Sequence, residues 1–531
     1  MHVKRHSIGW PAFGDGVAIA LLFAFGLYYG LLCFYRGWGG DIYIYVAGIS
    51  EVYRSFPNLM HEATLQPADD SIVFTPYLFV VSAIGWAANI SPYNILQYCG
   101  LVNVAIFVFS VLYFFSSFLS INSAIRASAL FIIICTVVRG SNYNWSSELS
   151  LQTLAGIQAY PSFIAWSLAL VSFSFAIEYL AKGRVFYLFG IAFIVWFVLL
   201  SHNLTGSWII IVLVLQLLLG FYTSWRDSAP QIRRPLIGLL AIGCASVAAL
   251  FWPYSSPFST TGMPGIQENA PFAGRLLMSF PLLYLLSIPA CILGARLVAR
   301  LTLFAFAGFF ATVVAYLVLR HVSDYFERYV FFAAFFPQVV LAGVLASVID
   351  EETYSRFDQK TRKLARFVIA GGAVVLVVSA AVLVVTATKR DFSPLLLEPR
   401  ARENFEKRLE TLTREIHEGD ILAACPLAIH EGDILADCPL THDTLHVFST
   451  TGARFVIASS SYKGHDRSSR LRDVDSLFRL ETSPNEVDRI LLSYGITKLL
   501  IGDGCLMAKP LQVRISDQLA AEGCWRVYAV R

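Results

Sequence analysis

Apolar runs separated by short polar joints fill the chain up to residue 388. They cover roughly 16–35, 97–119, 124–138, 155–180, 186–201, 204–224, 235–252, 277–298, 300–319, 329–348 and 367–388. A helix rises ~1.5 Å per residue, so runs of this size approach or reach the ~30 Å hydrocarbon core of a bilayer. The pattern predicts eleven transmembrane helices. A further run at 74–90 (FTPYLFVVSAIGWAANI) is short and has a proline near its start. It fits either a span or a helix lying in the interface. No small-residue cleavage site follows the first run, which reads as a retained span and not a removed signal peptide.

After Arg390 the pattern changes. RENFEKRLETLTREIH reads as a helix, DILAACPL, RFVIAS, TKLLIGDG and WRVYAVR read as strands, and EVDRILLSYG reads as a helix closed by Gly495. This alternation predicts a compact α/β domain. The fold class expected is therefore an all-α polytopic membrane domain, residues 1–388, followed by a C-terminal soluble α/β domain, residues 389–531. The segment IHEGDILAACPLA (416–428) is followed at once by IHEGDILADCPLT (429–441), a tandem copy of 13 residues with two substitutions. Solenoids need about three or more repeats, so this is a local duplication, one copy serving as strand and the other as inserted loop.

Composition agrees with the hydropathy. Of 531 residues 56% are hydrophobic and only 15% charged, against about 45–50% and about 25% in soluble domains. Single soluble cores stop growing beyond about 250–300 residues, so a soluble multidomain enzyme is excluded for most of the chain. The net charge of +3 offers no field to recruit nucleic acid. Basic residues gather in cytoplasmic loops, and this bias decides between the two readings of 74–90. If 74–90 does not span, AKGR (181–184), RDSAPQIRR (226–234) and SRFDQKTRKLAR (355–366) all fall inside, with Lys4, Arg5, Arg126, Arg296 and Arg300. If it spans, those three most basic joints fall outside. The first arrangement gives eleven spans, interfacial helices in the first outer loop, a cytoplasmic N-terminus and a periplasmic C-terminal domain. It describes a protein of a bacterial inner membrane whose outer loops are 36–96, 139–154, 201–203, 253–275 and 320–329.

Candidate chemistry collects in those outer loops. The first begins RGWGGDIYIYVAGISEVY: Asp41 follows Gly37, Gly39 and Gly40 and precedes an amphipathic segment. A carboxylate held at the membrane surface by such a helix is placed to act as a general base, and Asp before a helix is also a routine N-cap. An acid after span one, a surface helix, a TPY opening onto an apolar non-spanning helix and then span two resemble the GT-C superfamily. These are integral-membrane glycosyltransferases that use polyprenyl-phosphate-linked sugars. They include the lipid-A aminoarabinose transferases, protein O-mannosyltransferases and mycobacterial arabinosyltransferases. The resemblance covers the layout of the membrane region and implies Asp41 as catalytic base. It implies a second acid in the second outer loop, where Glu148 is the one carboxylate between Arg139 and Pro161 and QAYP (158–161) leads into a span.

The resemblance also implies cations on the donor phosphate. Arg is planar, permanently charged and bidentate toward phosphate. Arg320 and Arg328 flank HVSDYFE at the mouths of spans nine and ten, and Arg139 sits at the mouth of span three. ERYVFFAAFFPQ is similar to the Arg-aromatic opening of a late span in several GT-C families. SHNLTG (201–206) places His202 in an outer turn, similar to the family's His-containing turn with Asn203 in place of its proline. Mouth-level charges are functional candidates, with snorkelling of the arginines and capping by the histidine as the structural alternatives. His321, Asp324 and Glu327 form a weak metal-ligand set in one loop, and a divalent cation stays open. The implied donor is a polyprenyl-phosphate sugar, the acceptor a glycan, lipid or protein, and the remaining partners membrane lipids.

Cys33, Cys99, Cys135, Cys244 and Cys291 lie in or beside spans and read as small packing residues. Cys425, Cys438, Cys505 and Cys524 lie in a compartment that permits disulfides. A Cys505–Cys524 bridge fits, and Cys425 and Cys438 are either paired or free. No Walker A loop, HExxH or GxSxG elbow occurs, so nucleotide hydrolysis and hydrolase chemistry have no support. The leading expectation is an inverting glycosyltransferase. The alternatives are a lipid or glycan transporter, which should show mid-span charges and inverted repeats, and a non-catalytic envelope assembly protein.

Overall fold

A computed structural model describes residues 10–35, 42–59, 73–134, 149, 154, 157–226, 233–254, 281–348, 357–386, 421–424, 454–455, 472–474, 476–502, 508–522 and 525–530. The chain forms two compact units, one of residues 1–36, 97–252 and 256–393, the other of residues 37–96, 253–255 and 394–531.

Each predicted apolar run overlaps a described helix: α1 (Trp10–Tyr35), α4 (Pro92–Ser116), α5 (Ile121–Ile134), α6 (Pro161–Lys182), α7 (Val185–Ser201), α8 (Asn203–Arg226), α9 (Arg233–Ala249), α10 (Pro281–Leu297), α11 (Ala299–Leu319), α12 (Tyr329–Val348) and α13 (Gln359–Thr386). Two more, α2 (Ile42–Ser55) and α3 (Pro76–Ala87), lie between α1 and α4. Among the described residues six helical segments are long and apolar enough to cross a membrane, in α1, α4, α6, α8, α11 and α12. Two helix starts displaced from their apolar runs fall on prolines. α4 opens at Pro92 and α6 at Pro161, because proline's fixed φ and missing N–H suit the first helical position.

In the first unit α12 is the central helix. It is buried along almost its whole length and packs on α5, α10 and α11. Aromatic side chains fill the space around it. Trp208 stacks on Phe332 with ring centroids 4.6 Å apart and an interplanar angle of 11°, and Trp166 lies 5.1 Å from each of them. Trp208 Nε1 donates to Thr312 Oγ1 at 3.0 Å. Lipid is as apolar as leucine, so in a membrane such interlocking contacts and interhelical hydrogen bonds hold helices together. The outward side chains are correspondingly apolar, with Phe186 70% and Phe189 71% exposed on α7.

Polar ties join the helix ends. Arg126 Nε donates to Asp15 Oδ1 at 2.7 Å, linking the starts of α5 and α1. Arg234 Nη1 donates to the carbonyls of Leu180 (2.9 Å) and Ala181 (3.0 Å), linking α9 to the end of α6. Arg296 Nη1 donates to Thr361 Oγ1 at 2.7 Å, linking α10 to α13.

In the second unit α2 and α3 pack on each other. Thr75 caps α3 by accepting from Leu78 N at 3.3 Å, with Pro76 in the first turn. Leu78, Val81, Ser82 and Gly85 form its buried stripe, the i, i+3, i+4, i+7 spacing of one helix face. Val80, Ile84 and Trp86 on the other side are exposed. At 12 residues the helix rises about 18 Å, short of a bilayer core. Gly85 has no room for a side chain: a Cβ there would meet Tyr53 Oη and lie 2.9 Å from Ile95 Cγ1. Its absence lets Tyr53 Oη reach the Ile90 carbonyl at 3.0 Å.

The described part of 421–530 carries a five-stranded sheet of β1 (Ile421–Ala424), β2 (Arg454–Phe455), β3 (Lys498–Gly502), β4 (Ile515–Glu522) and β5 (Trp525–Val530), in the order β2-β1-β3-β5-β4. β2, β1 and β3 run parallel, while β5 is antiparallel to β3 and β4. β1 comes from the first copy of the tandem duplication; the second copy lies outside the described residues, as do the expected helix at 402–417 and Cys425, Cys438, Cys505 and Cys524. Helix α14 (Pro484–Tyr494) is capped by Ser483 and closed by Gly495 at φ 62°, the left-handed conformation that glycine adopts without steric cost. It buries Val487, Ile490 and Leu491 with Leu499 and Ile501 of β3 and Leu511 of the short helix α15 (Lys509–Arg514).

Candidate functional site

The turn between α7 and α8 is a single residue. His202 ends α7, its N–H donating to the Val198 carbonyl at 2.8 Å, and Asn203 already begins α8. His202 Nδ1 lies 2.7 Å from Thr205 Oγ1 and 3.4 Å from Thr205 N. A backbone N–H only donates, so Nδ1 accepts, and these bonds assign the neutral ring's hydrogen to Nε2.

The second wall comes from the segment after α11. Ser323 Oγ accepts from Tyr325 N at 3.3 Å and opens a 3-10 turn, Asp324–Arg328, which runs directly into α12. A 3-10 turn eclipses residues three apart. The Arg328 guanidinium lies over the Tyr325 ring, 4.9 Å from its centroid, a cation–π contact. Two bonds join this segment to α8. Tyr325 Oη donates to Asn203 Oδ1 at 3.1 Å, and Ser207 Oγ lies 2.6 Å from Tyr329 Oη. Tyr329, Phe332 and Trp208 form an aromatic floor, with Tyr329 and Phe332 centroids 5.8 Å apart.

Electrostatics couple the two walls. Burial, and then the nearby Arg328 guanidinium, push the His202 imidazole down to about 3. A charged imidazole is disfavoured both by lost hydration and by a like charge. His202 is neutral at physiological pH and offers a hydrogen-bond donor, while Arg328 supplies the positive charge. The residue nevertheless keeps partial surface exposure, so a ligand can approach it.

Of the predicted site residues, His202 and Arg328 are brought together. Arg320 ends α11 and stacks over Tyr316, 5.4 Å from its centroid; its Nε is buried with no hydrogen-bond partner among the described residues. His321 is exposed, Glu327 is half-buried, and the side chain of Asp324 lies outside the described ones. Among the described side chains no three His, Cys, Asp or Glu gather around one point. Asp41, Arg139 and Glu148 lie outside the described residues; α2 begins at Ile42, the residue after Asp41. Thr205, Ser207, Tyr325 and Tyr329 belong to this cluster without having been singled out in the sequence, and Asn203 stood out there only as the replacement of a proline. Their signal was the clustering of hydroxyl and amide groups within SHNLTGS and of aromatics between Arg320 and Arg328.

No family model matches the sequence, and no curated protein matches it. Solved structures do. The chain is similar to ArnT from Cupriavidus metallidurans in the apo state, at 12% identity and a TM-score of 0.53, covering 98% of both chains. It is also similar to the oligosaccharyltransferase AglB from Archaeoglobus fulgidus in complex with an inhibitory peptide and a dolichol-phosphate, at 12% identity and a TM-score of 0.49, covering 93% of this chain and 70% of that one. A third is the arabinofuranosyltransferase AftD from Mycobacteria, at 14% identity and a TM-score of 0.45, covering 99% and 40%.

Proposed function

We propose that this chain, which has the GT-C fold of ArnT, is a membrane glycosyltransferase. It moves a sugar from a polyprenyl-phosphate donor to an extracytoplasmic glycan, lipid or protein. The observation that carries the reading is the Arg328 guanidinium held over Tyr325 beside a neutral His202.

The donor is a phosphodiester with one negative charge. In the inverting reaction Asp41 takes the proton of the acceptor hydroxyl as its oxygen attacks the anomeric carbon. The bond from that carbon to the phosphate oxygen breaks, and its electron pair leaves with the phosphate. The leaving lipid phosphate gains a second negative charge as the bond breaks. A fixed cation beside it therefore stabilises the transition state more than the bound donor, which is what accelerates a reaction. Arg328 is that cation, with Arg320 and Arg139 as further phosphate ligands and His202 Nε2–H as a neutral donor. Tyr325 limits the freedom of the guanidinium by stacking beneath it. Glu148 is the second acid. His321 and Glu327 do not converge with a third ligand among the described side chains, and no step here runs through a metal.

The orientation follows the charge bias. Arg126 and Asp15, Arg234 and the end of α6, and Arg296 and Thr361 tie helix ends that the eleven-span topology assigns to one side. His202 and Arg328 share the other. The short α3 with its exposed Val80, Ile84 and Trp86 supports an interfacial helix. This topology makes residues 389–531 a periplasmic α/β domain that contacts the acceptor. The test is transfer from a radiolabelled polyprenyl-phosphate sugar in proteoliposomes. Asp41→Asn should lower transfer roughly 100- to 10,000-fold, the range of general-base catalysis, and unchanged transfer sinks the assignment.

A further inference from the structure

A cavity of about 380 Å³ lies between α6, α8 and α11, far from the His202 cluster along the same helices. From His202 to Gly220 α8 covers about 27 Å of rise. The walls are apolar, including Leu180, Val212, Leu215 and Phe304, and two polar groups interrupt them, Gln216 and Arg300. The volume is at the low end for ligand pockets, ~300–1,000 Å³. Its lining residues run along two turns of both α8 and α11, a shape that suits an alkyl chain.

The Trp208–Thr312 hydrogen bond sets the register of α8 and α11. The cavity is lined by Val212 to Gly220 on one and Arg300 to Gly308 on the other, so the helices run antiparallel there. Counting from the bond, Gly220 is level with Arg300, Gln216 with Phe304 and Val212 with Gly308. The cavity thus extends about 12 Å inward from Arg300, with Gln216 about 6 Å below it. Arg300 is exposed and forms no ion pair among the described residues. Gln216 spends its Nε2 on the Phe173 carbonyl at 3.2 Å, and its Oε1 is buried with no donor. A buried acceptor left unmatched costs about 1–3 kcal/mol. Leu303, Phe306 and Phe310 beside the cavity on α11 and Leu218 and Tyr222 on α8 are exposed, so its surroundings are lipid-facing.

We infer that this cavity binds a single-chain phospholipid with a free glycerol hydroxyl, a lysophospholipid. Its acyl chain fills the apolar walls, its phosphate meets Arg300, and its hydroxyl, one helical turn deeper, donates to Gln216 Oε1. A diacyl lipid has an ester at that depth and no hydrogen to donate. The inference rests on the chain lying in a membrane and not on sugar transfer, so either can fail alone.

The test is native mass spectrometry of the full chain in detergent, offered equimolar lysophosphatidylglycerol and dioleoylphosphatidylglycerol. One lysolipid should be retained about tenfold over the diacyl lipid. Gln216→Leu should bring that preference to within about twofold, Arg300→Gln should weaken retention of the lysolipid about tenfold, and Ala307→Phe, which fills the cavity, should remove it. Size-exclusion profiles and melting temperatures identify any variant that fails to fold; Arg300 is exposed, so its variant remains decisive. Equal retention of the two lipids by the unmodified protein, or retention indifferent to Arg300→Gln, overturns the inference.

Discussion

The neutral state of His202 makes a prediction about acid. The imidazole is held at about 3 in the folded chain, against an ordinary ~6.5 when unfolded. Above that ordinary value both states are neutral and His202 adds no pH dependence. As the pH falls below it, the unfolded chain takes up a proton that the folded chain refuses, so stability drops until the folded pKa is reached. At pH 5 the gap is about 1.5 pH units at ~1.36 kcal/mol each, or about 2 kcal/mol. Partial exposure of the residue makes this an upper bound. His202→Gln keeps hydrogen-bonding capacity and removes the titration. The assay compares apparent melting temperatures of purified protein at pH 7 and pH 5, at one scan rate, for the unmodified chain and the variant. The unmodified chain should lose up to about 2 kcal/mol more on acidification than His202→Gln. Arg328→Gln should narrow the difference without abolishing it, because burial is the larger cause. If His202→Gln loses as much stability as the unmodified chain, the buried neutral imidazole is wrong.

Three further outcomes are expected. Arg328→Lys keeps the charge but loses the planar fork and its stacking on Tyr325; transfer should fall roughly 10- to 100-fold, and transfer equal to the unmodified rate would remove Arg328 from the phosphate site. Trp208→Ala empties a fully buried site between Trp166 and Phe332 and should cost about 3–5 kcal/mol, read from the melting temperature; a loss below about 1 kcal/mol would show that the aromatic floor is not a packing centre. A cysteine placed at Lys363 should react with an impermeant maleimide only in inside-out vesicles, and labelling in spheroplasts would reverse the topology and the outer-face assignment of Asp41.

Much of the fold was legible because insertion in a bilayer depends on the apolar length of each segment by itself. Each of the eleven runs overlaps a helix, and strands lie within the stretches DILAACPL, RFVIAS, TKLLIGDG and WRVYAVR. β4 was missed. ISDQLAAE mixes polar and small residues without clear alternation, and its pairing with β5 is irregular at Gln518. It is an edge strand, held by main-chain hydrogen bonds that any side chains permit. The candidate site was partly legible. His202 and Arg328 stood out because polar groups at span mouths are scarce. Ser207, Tyr325 and Tyr329 did not, since each side of their bonds looks ordinary until the partner, 122 residues away, arrives.

The division has a physical basis. Where apolar helices form follows from a sum over a short stretch, the transfer free energy along a helix, and the sequence by itself determines this; the expected orientation and the interfacial reading of 74–90 rest on a similar sum, the count of basic residues in each loop. Which helix mouths adjoin depends on how α6, α8, α11 and α12 interlock through Trp166, Trp208, Phe332 and Thr312, a property of many side chains fitting at once. Only that packing sets Arg328 over Tyr325 beside His202, and only the register of α8 against α11 brings Gln216 and Arg300 to one cavity.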